Sequence, residues 1–214
     1  MPDPVPADVP TAHRWQSAEY VEEWAATAND APHRGAVFDA FVAQLSGFVG
    51  SGSDRGLALL ELGSGPGYLA EQLCSRVAVA RYVAVDVSPH MHAIAAARLA
   101  PWADVVEQRE ADYRAPGWER AISGRFDAVV TLQAVHELRR ADLIPGLYAA
   151  AYGLLRDGGA FLMADLVNVP GEEPRGHMLT VAEHVDTLTG AGFAPVQTVV
   201  DLGRIALLRA ERSG

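Results

Sequence analysis

Short apolar runs that alternate with helical segments dominate the middle of the chain. Five runs have the length and composition of strands buried on both faces, and helical patterns lie between them. Strands joined through helices pair in parallel, which predicts an α/β fold with a mainly parallel, doubly wound sheet. The predicted strands span residues 57–63, 81–87, 104–110, 126–133 and 160–167.

The end of the chain departs from this alternation. Residues 180–183 read Thr-Val-Ala-Glu, the spacing of a capping box, which predicts a helix ending near Gly190 or Gly192. Two β runs follow, 194–201 and 204–210, with only a tight turn between them. A parallel return needs a crossover of about a dozen residues or more, so these two strands are predicted to be antiparallel.

The beginning of the chain is different again. Residues 1–14 contain four prolines and no hydrophobic period, which predicts a flexible arm. Helical patterns fill 15–50 and predict a helical cap on a core formed by 56–214. The length of 214 residues suits one domain, so residues 15–214 are predicted to fold as a unit.

Composition excludes several classes of function. All 17 basic residues are arginine against 27 acidic residues, a net charge of −10, which argues against a nucleic-acid partner. The absence of lysine excludes a P-loop lysine and a Schiff base. A single cysteine, Cys74, excludes an internal disulfide and a cysteine-rich zinc site, and no metal is expected.

The sequence also bears on location. The first residues have no basic segment followed by an apolar one, so they do not resemble a secretory signal. No run approaches the roughly 18 consecutive apolar residues of a membrane span. We therefore expect a cytoplasmic protein with no membrane partner.

A glycine-rich loop follows the first predicted strand and opens a helix. Its acidic residue, Glu61, precedes glycines at 63, 65 and 67. Such glycines allow a sharp turn and let a ligand approach the main chain. A dinucleotide-binding fingerprint would place its third glycine at position 68, where this chain has Tyr68.

Acidic residues follow the next two strands. Asp86 ends the second strand about 20 residues past the loop, where an acid can accept hydrogen bonds from both ribose hydroxyls of an adenosine. Alternatively, Asp86 interacts with the N-terminus of the next helix. Asp112 either accepts the adenine amino group or belongs to a surface turn. Residues 132–137 follow the fourth strand and are predicted to line the crevice where open α/β sheets bind ligands.

Five motifs in order resemble those of class I S-adenosylmethionine-dependent methyltransferases of the small-molecule type. They are ELGSGPG, VAVDVS, EADY, FDAVVTLQAVHEL and LLRDGGAFLMAD, and the resemblance covers about residues 34–210. It implies a Rossmann-like sheet of order 3-2-1-4-5-7-6, with an antiparallel last strand and an N-terminal helical cap.

The resemblance also implies a cofactor, S-adenosyl-L-methionine, and a product, S-adenosyl-L-homocysteine. The glycine loop would pass the methionine part of the cofactor, and the acids after the second and third strands would hold its ribose and adenine. The residues implied to bind it are Glu61, Gly63, Ser64, Gly65, Gly67, Asp86, Val87, Met91, Asp112, Tyr113, Thr131, Leu132 and Gln133.

His136 is the candidate catalytic residue. It is expected next to the methyl donor and can act as a general base where the acceptor must lose a proton. The alternative is that His136 and Glu137 begin a helix and hydrogen-bond the backbone. The resemblance does not determine whether oxygen, nitrogen, sulfur or carbon is methylated.

Two other regions are candidates for substrate contacts. Tyr20 and Trp24 lie on the predicted cap, where Tyr20 or Arg34 could reach the cofactor carboxylate or cover the pocket. Arg175 and His177 lie in the loop 167–179, which is either a lid over the substrate or an idle surface connection.

The predicted function is methyl transfer to a small-molecule nucleophile. One alternative is a module that binds the cofactor without catalysis, since a fold does not prove a function. A remote alternative is a nicotinamide-dependent oxidoreductase, disfavoured by Tyr68 and the terminal hairpin.

Overall fold

Seven strands form one mixed sheet in the computed structural model, which describes residues 14–49 and 55–214. In chain order they are β1 (Leu57–Leu62), β2 (Val79–Asp86), β3 (Val106–Glu110), β4 (Phe126–Leu132), β5 (Leu155–Leu166), β6 (Val196–Asp201) and β7 (Ile205–Glu211). Their spatial order is β3-β2-β1-β4-β5-β7-β6, as predicted. Strands β1 to β5 pair in parallel, whereas β7 is antiparallel to both β5 and β6.

Helices connect the strands and flank the sheet. They are α1 (Ala18–Thr27), α2 (Arg34–Val49), α3 (Tyr68–Arg76), α4 (Pro89–Arg98), α5 (Ile144–Leu154) and α6 (Val181–Gly190). Short 3₁₀ turns occupy Ala100–Trp102, Trp118–Ala121, Val135–Leu138 and Ala141–Leu143. In the described ranges, no helix has the length and apolar character needed to cross a membrane.

Helix starts follow the capping residues of the sequence. The Ser88 side chain accepts a hydrogen bond from the Met91 N–H, and Pro89 occupies the first helical position, where a missing N–H costs nothing. Thr180 and Glu183 form the predicted capping box at the start of α6. Each cap satisfies backbone groups that the first helical turn leaves without a partner.

Both faces of the central strands are buried, and each face has its own core. All six residues of β1 are buried. One core contains Phe161, whose ring centroid lies 5.5 Å from that of Tyr148 and 5.9 Å from that of Phe193. The other contains Phe41 of α2 against Leu59 of β1. Helix α2 therefore packs on one face of the sheet and belongs to the core of the fold.

Helix α2 lies within residues 15–50, the predicted helical cap. Phe38, Phe41 and Leu45 of α2 are buried in the core of one sheet face. Residues 15–33 of the predicted cap contribute no residue to either core. The predicted arm, residues 1–14, lies outside the described residues except for Arg14.

The start of β5 differs from the prediction. The sequence predicted a strand over 160–167, but β5 begins at Leu155. Phe126 pairs with Leu155, and the next pair joins Ala128 to Ala160, so the residues between form a bulge. A Cβ atom at Gly159 would lie 2.9 Å from the Arg156 carbonyl oxygen, which explains why glycine occupies the bulge.

Truncation of a core ring tests the packing described here. Phe161→Ala is expected to lower the free energy of unfolding by about 3–5 kcal/mol, because it removes buried apolar surface and leaves a cavity. Leu202→Ala is the control, since Leu202 is 48% exposed and its truncation should cost less than about 0.5 kcal/mol. Urea unfolding measures both, and equal losses in the two variants would contradict the core assignment.

Candidate active site

A cavity of about 400 Å³ opens at the carboxyl ends of β1, β2 and β4. Open α/β sheets bind ligands at this edge, where the strand order reverses. The cavity brings together most of the predicted site: Glu61, Gly63, Ser64, Gly65, Asp86, Val87, Met91, Asp112, Tyr113, Leu132, Gln133, His136 and Trp24. Five other predicted site residues do not line it: Gly67, Thr131, Tyr20, Arg175 and His177.

The glycine loop makes the sharp turn that its sequence predicts. Gly63 has φ +70°, and a Cβ atom there would lie 2.4 Å from the Ala134 Cβ atom. Gly67 also has positive φ, but its added Cβ would meet Leu99 and Ala95, so this glycine serves helix packing. The Ser64 hydroxyl is buried and has no hydrogen-bond partner among the described residues. It is free to bond a ligand in the cavity.

Asp86 lies between the glycine loop and the start of α4, and it also faces the cavity. It is 8% exposed and lines the cavity. Its carboxylate oxygens accept hydrogen bonds from the N–H groups of Gly65 at 2.8 Å and Ser88 at 2.9 Å. Burial raises the pKa of Asp86, and the two backbone hydrogen bonds oppose this rise. The side chain therefore supports the turn into α4 and also faces the cavity.

Glu61 is a buried acid at the base of the cavity. It is 2% exposed and accepts a hydrogen bond of 2.7 Å from the Tyr82 hydroxyl. Burial raises the pKa of Glu61 to about 8; the Tyr82 hydrogen bond opposes this, and the charge of Asp86 adds to it. A cation arriving in the cavity would favour the ionised carboxylate.

Arg34 is a buried cation on the opposite wall. It begins α2, is 8% exposed, and its Nε donates to the Ala28 carbonyl at 3.1 Å. Burial lowers the pKa of this guanidinium, and Tyr68 opposes the shift. Arg34 lines the cavity and forms no ion pair with another described residue. Because a buried charge is costly without a counter-ion, Arg34 marks a position for an anionic group.

The backbone at the end of β4 is strained. Gln133 has φ +53°, in the left-handed region that side chains other than glycine rarely adopt. Its N–H donates to the Ala164 carbonyl at 2.7 Å, which holds this conformation. Strain of this kind is concentrated at binding sites. The neighbouring Thr131 has a structural role, because its hydroxyl donates to the Leu62 carbonyl at 2.9 Å.

Asp165 organises the turn that contains His136. It lies at the end of β5 and is 1% exposed. One carboxylate oxygen accepts from the N–H groups of Val135 at 2.6 Å and His136 at 3.2 Å. The other lies 2.5 Å from the Nδ1 atom of His136. Asp165 was not among the predicted site residues, although an acid within an apolar strand was a usable signal.

The charge of His136 follows from its partners. Burial lowers the pKa of His136, but the Asp165 carboxylate and the adjacent Glu137 outweigh burial and raise it to about 10. Burial raises the pKa of Glu137, but His136 and Arg14 bring it down to about 2. This arrangement favours an imidazolium at neutral pH, whereas a general base must be neutral.

Three residues before α1 cross the mouth of the cavity, and we call residues 14–16 the strap. Trp15 lines the cavity, and its carbonyl accepts a hydrogen bond from the Ser88 hydroxyl. The Gln16 side chain donates to the Val87 carbonyl at 2.9 Å. Arg14 bonds both carboxylate oxygens of Glu137 at 2.6 Å. These contacts link the ends of β2 and β4, and no sequence pattern indicated them.

The other residues predicted to contact the substrate do not line the cavity, but Tyr20 and His177 contact residues that do. Tyr20 packs edge-on against Trp15, with ring centroids 5.2 Å apart. The Nε2 atom of His177 lies 2.7 Å from the His136 carbonyl oxygen, and Arg175 is exposed. Within 14–49 and 55–214, no group of three or more His, Cys, Asp or Glu side chains is placed to hold a metal ion.

Asp112 and Tyr113 complete the edge of the cavity on the β3 side. Arg114 donates to Asp112 from Nε at 2.8 Å and from the end of its guanidinium at 2.7 Å. Desolvation of Asp112 would raise its pKa, but these bonds lower it. The Tyr113 hydroxyl donates to the Ala134 carbonyl at 2.9 Å.

Known proteins share this fold. Residues 59–159 match the family model described as a methyltransferase domain. An O-methyltransferase family protein from Burkholderia thailandensis is 20% identical with a TM-score of 0.72, over 94% of this chain and 62% of that one. Human N-acetylserotonin methyltransferase, in complex with S-adenosylmethionine, is 15% identical with a TM-score of 0.73, over 98% and 61%.

A third structure matches along its whole length. It is the N-methyltransferase NodS from Bradyrhizobium japonicum in complex with S-adenosyl-L-homocysteine, 17% identical with a TM-score of 0.70, over 93% of this chain and 100% of that one. The chain thus spans about three-fifths of the first two structures and all of the third. It has the class I S-adenosylmethionine-dependent methyltransferase fold, and the resemblance of its motifs is confirmed.

Removal of the Asp165 charge tests the His136 assignment. Asp165→Asn is expected to lower the pKa of His136 from about 10, because the main group that raises it is lost and burial remains. Titration of the imidazole by NMR measures this shift. The exposed Asp157 offers a control, Asp157→Asn, which should leave the pKa of His136 unchanged.

The ion pair between His136 and Asp165 also affects the stability of the fold. In the wild type its contribution is fully present below pH 6.5, the ordinary pKa of histidine, and is lost as pH rises towards about 10. The free energy of unfolding of Asp165→Asn should have a smaller slope, because of the two acids only Glu137 still raises the pKa of His136. An unchanged slope and an unchanged pKa would both contradict the assigned ion pair.

Proposed function

We propose that this chain transfers a methyl group from S-adenosyl-L-methionine to a small-molecule nucleophile. The observation that supports this most is the match between the cavity and that cofactor. An unpaired buried guanidinium, a free buried hydroxyl and two buried acids face one space beside a glycine turn. When bound, the cofactor supplies an activated methyl group on a cationic sulfonium and leaves as S-adenosyl-L-homocysteine.

The polar groups of the cavity divide into an adenosine end and an amino-acid end. Asp86 would accept hydrogen bonds from the ribose hydroxyls. Val87 and Met91 would flank the adenine, with Asp112 and Tyr113 at its edge.

At the amino-acid end, Arg34 and the free Ser64 hydroxyl would hold the carboxylate, and Glu61 would face the ammonium. Each buried charge then gains an opposite charge, which removes the cost of leaving it unpaired. The glycines of the loop allow the ligand to approach the main chain closely, and Leu132 and Gln133 would lie beside the reacting centre.

The acceptor would bind on the side formed by His136, Glu137 and Trp24. The protein's contribution there is to position the acceptor and exclude water. We propose that His136 remains cationic and orients the acceptor through the turn that Asp165 fixes. A general-base role, expected from the sequence, is the second candidate and requires a rate that rises with pH towards about 10.

A small-molecule acceptor suits the size of the site. The cavity of about 400 Å³ lies in the range of small-ligand pockets, about 300–1,000 Å³. The net charge of −10 disfavours a polyanionic partner. A cytoplasmic location and the absence of a nucleic-acid partner remain predictions.

Two alternative functions predict different binding results. A module that binds the cofactor without turnover would bind S-adenosylmethionine and yield no S-adenosylhomocysteine with any acceptor. A nicotinamide-dependent oxidoreductase would bind NADH. Tyr68, at the position of the third fingerprint glycine, disfavours the latter.

Calorimetric titration with S-adenosylmethionine and separately with NADH tests the proposal. We expect micromolar binding of the first alone, followed by formation of S-adenosylhomocysteine in a screen of small-molecule acceptors. Asp86→Ala and Arg34→Gln should each weaken binding by about tenfold or more, since each removes a charge-assisted hydrogen bond.

Two exposed residues provide matched controls for these variants. Asp104→Ala and Arg76→Gln remove the same charges away from the cavity and should bind normally. Binding of NADH alone would overturn the proposal. Cofactor affinity that is unaffected by both cavity variants would overturn the residue assignments.

Glu61 makes cofactor binding depend on pH. In the free protein its pKa is about 8, so the acid is largely protonated at neutral pH. A bound ammonium favours the carboxylate, so binding should release a proton and weaken by up to about tenfold per pH unit as pH falls below 8. Calorimetry in buffers of different ionisation enthalpy, between about pH 6 and pH 7.5, measures this release.

Glu61→Gln is the reference for that measurement. The variant lacks the Glu61 carboxyl, while the ligand's own groups titrate as they do with the wild type. It should bind more weakly at pH 7.5, with proton release reduced to the ligand's contribution. Equal proton release in the two proteins would show that Glu61 does not face the ammonium.

A further inference from the structure

The guanidinium of Arg14 occupies a built cation site at the mouth of the cavity. It bonds both carboxylate oxygens of Glu137 at 2.6 Å, and its side chain is only 15% exposed. Its Cζ atom lies 4.8 Å from the ring centroid of Trp15 and 5.5 Å from that of Tyr20. A carboxylate beside aromatic rings is a set of groups that binds organic cations.

Arg14 reaches this site from the strap, which lies outside the sheet and contacts the ends of its strands. The contacts of the strap are hydrogen bonds and ring contacts to Glu137, Val87, Ser88, His90 and the α1 aromatics. The Arg14 Nε atom is buried and has no partner among the described residues. Because Trp15 and Glu137 both line the cavity, a ligand entering on this side meets the strap.

Glu137 needs a cation whenever Arg14 leaves. Apart from Arg14, the buried charges here are Asp165 and Glu137 against His136. Arg114 also interacts with Glu137, but Asp112 pairs with it, so a net negative charge remains even when His136 is protonated. Arg139 lies 3.9 Å from Glu137 but is 37% exposed, so solvent screens its charge. Loss of Arg14 also removes the two short hydrogen bonds that Glu137 accepts, which is costly for a partly buried carboxylate.

We propose that Glu137, with the aromatic rings of Trp15 and Tyr20, is a cation subsite for the methyl acceptor, and that an ammonium or guanidinium group of the acceptor takes the place of Arg14. This rests on the proposed function. The cationic group is an anchor, because a protonated nitrogen has no lone pair for attack. The methylated atom is a second, neutral nucleophile of the same molecule.

Titration with benzamidine tests the subsite, and benzamide is its uncharged analogue. Arg14→Gln vacates the subsite and should bind benzamidine about tenfold more tightly than the wild type. Benzamide should bind both proteins equally weakly. The matched control is Arg139→Gln, which removes the other arginine near Glu137 and should leave benzamidine binding unchanged.

The double variant Arg14→Gln/Glu137→Gln should lose the gain. A gain that survives in it, or that appears equally with benzamide or in Arg139→Gln, would overturn the subsite, as would no gain in Arg14→Gln. If the double variant does not fold, the comparison of Arg14→Gln with Arg139→Gln decides the matter alone.

Titration of the same proteins with S-adenosylhomocysteine separates this inference from the proposed function. Binding of S-adenosylhomocysteine without a benzamidine gain would overturn the subsite only. Failure to bind either S-adenosylhomocysteine or S-adenosylmethionine would overturn the proposed function, whatever benzamidine does.

Discussion

Burial of the central strands on both faces is the constraint on which the rest of the molecule depends. A polar side chain within such a strand must find a partner, so polar groups are confined to the strand ends. Four strands conform to this: Glu61, Asp86, Thr131 and Asp165 are buried near the carboxyl ends of β1, β2, β4 and β5, and each has a hydrogen-bond partner. The two apolar cores therefore concentrate the chemistry of the chain along one edge of the sheet.

Local patterns explain why much of this edge could be predicted. Apolar runs, capping residues and the tight final turn act over a few residues, and together they predicted a mainly parallel sheet that ends in an antiparallel pair. The strand order, which the structure confirms, was implied by the resemblance of the motifs. Gly63 and Asp86 could be placed because each lies where a strand ends. The bulge at the start of β5 was missed, since Asp157-Gly-Gly is equally typical of a turn, and only pairing with β4 makes it part of a strand.

Contacts between distant residues could not be predicted in the same way. Asp165 acts on Val135 and His136 across about 30 residues, and Arg14 reaches Glu137 across 123. Those partners change what a predicted residue can do. His136 was expected from its position after β4, but its charge is determined by Asp165, which raises its pKa against the effect of burial. The position of His136 in the site was therefore predictable, but its protonation state was not.

The two sides of the cavity consequently differ in the interactions that hold them in place. The side assigned to the cofactor is formed by strand ends and a glycine turn, which the cores hold in place. The side assigned to the acceptor is formed by the strap and the 3₁₀ turn at His136, joined by a series of charges from Asp165 through His136 and Glu137 to Arg14. Because these charges are coupled, a change at the strap alters the electrostatics at His136 without any change in the sheet. On the proposed assignment, the strap affects the acceptor side of the cavity through charge, whereas the strand ends and the glycine turn hold the cofactor side.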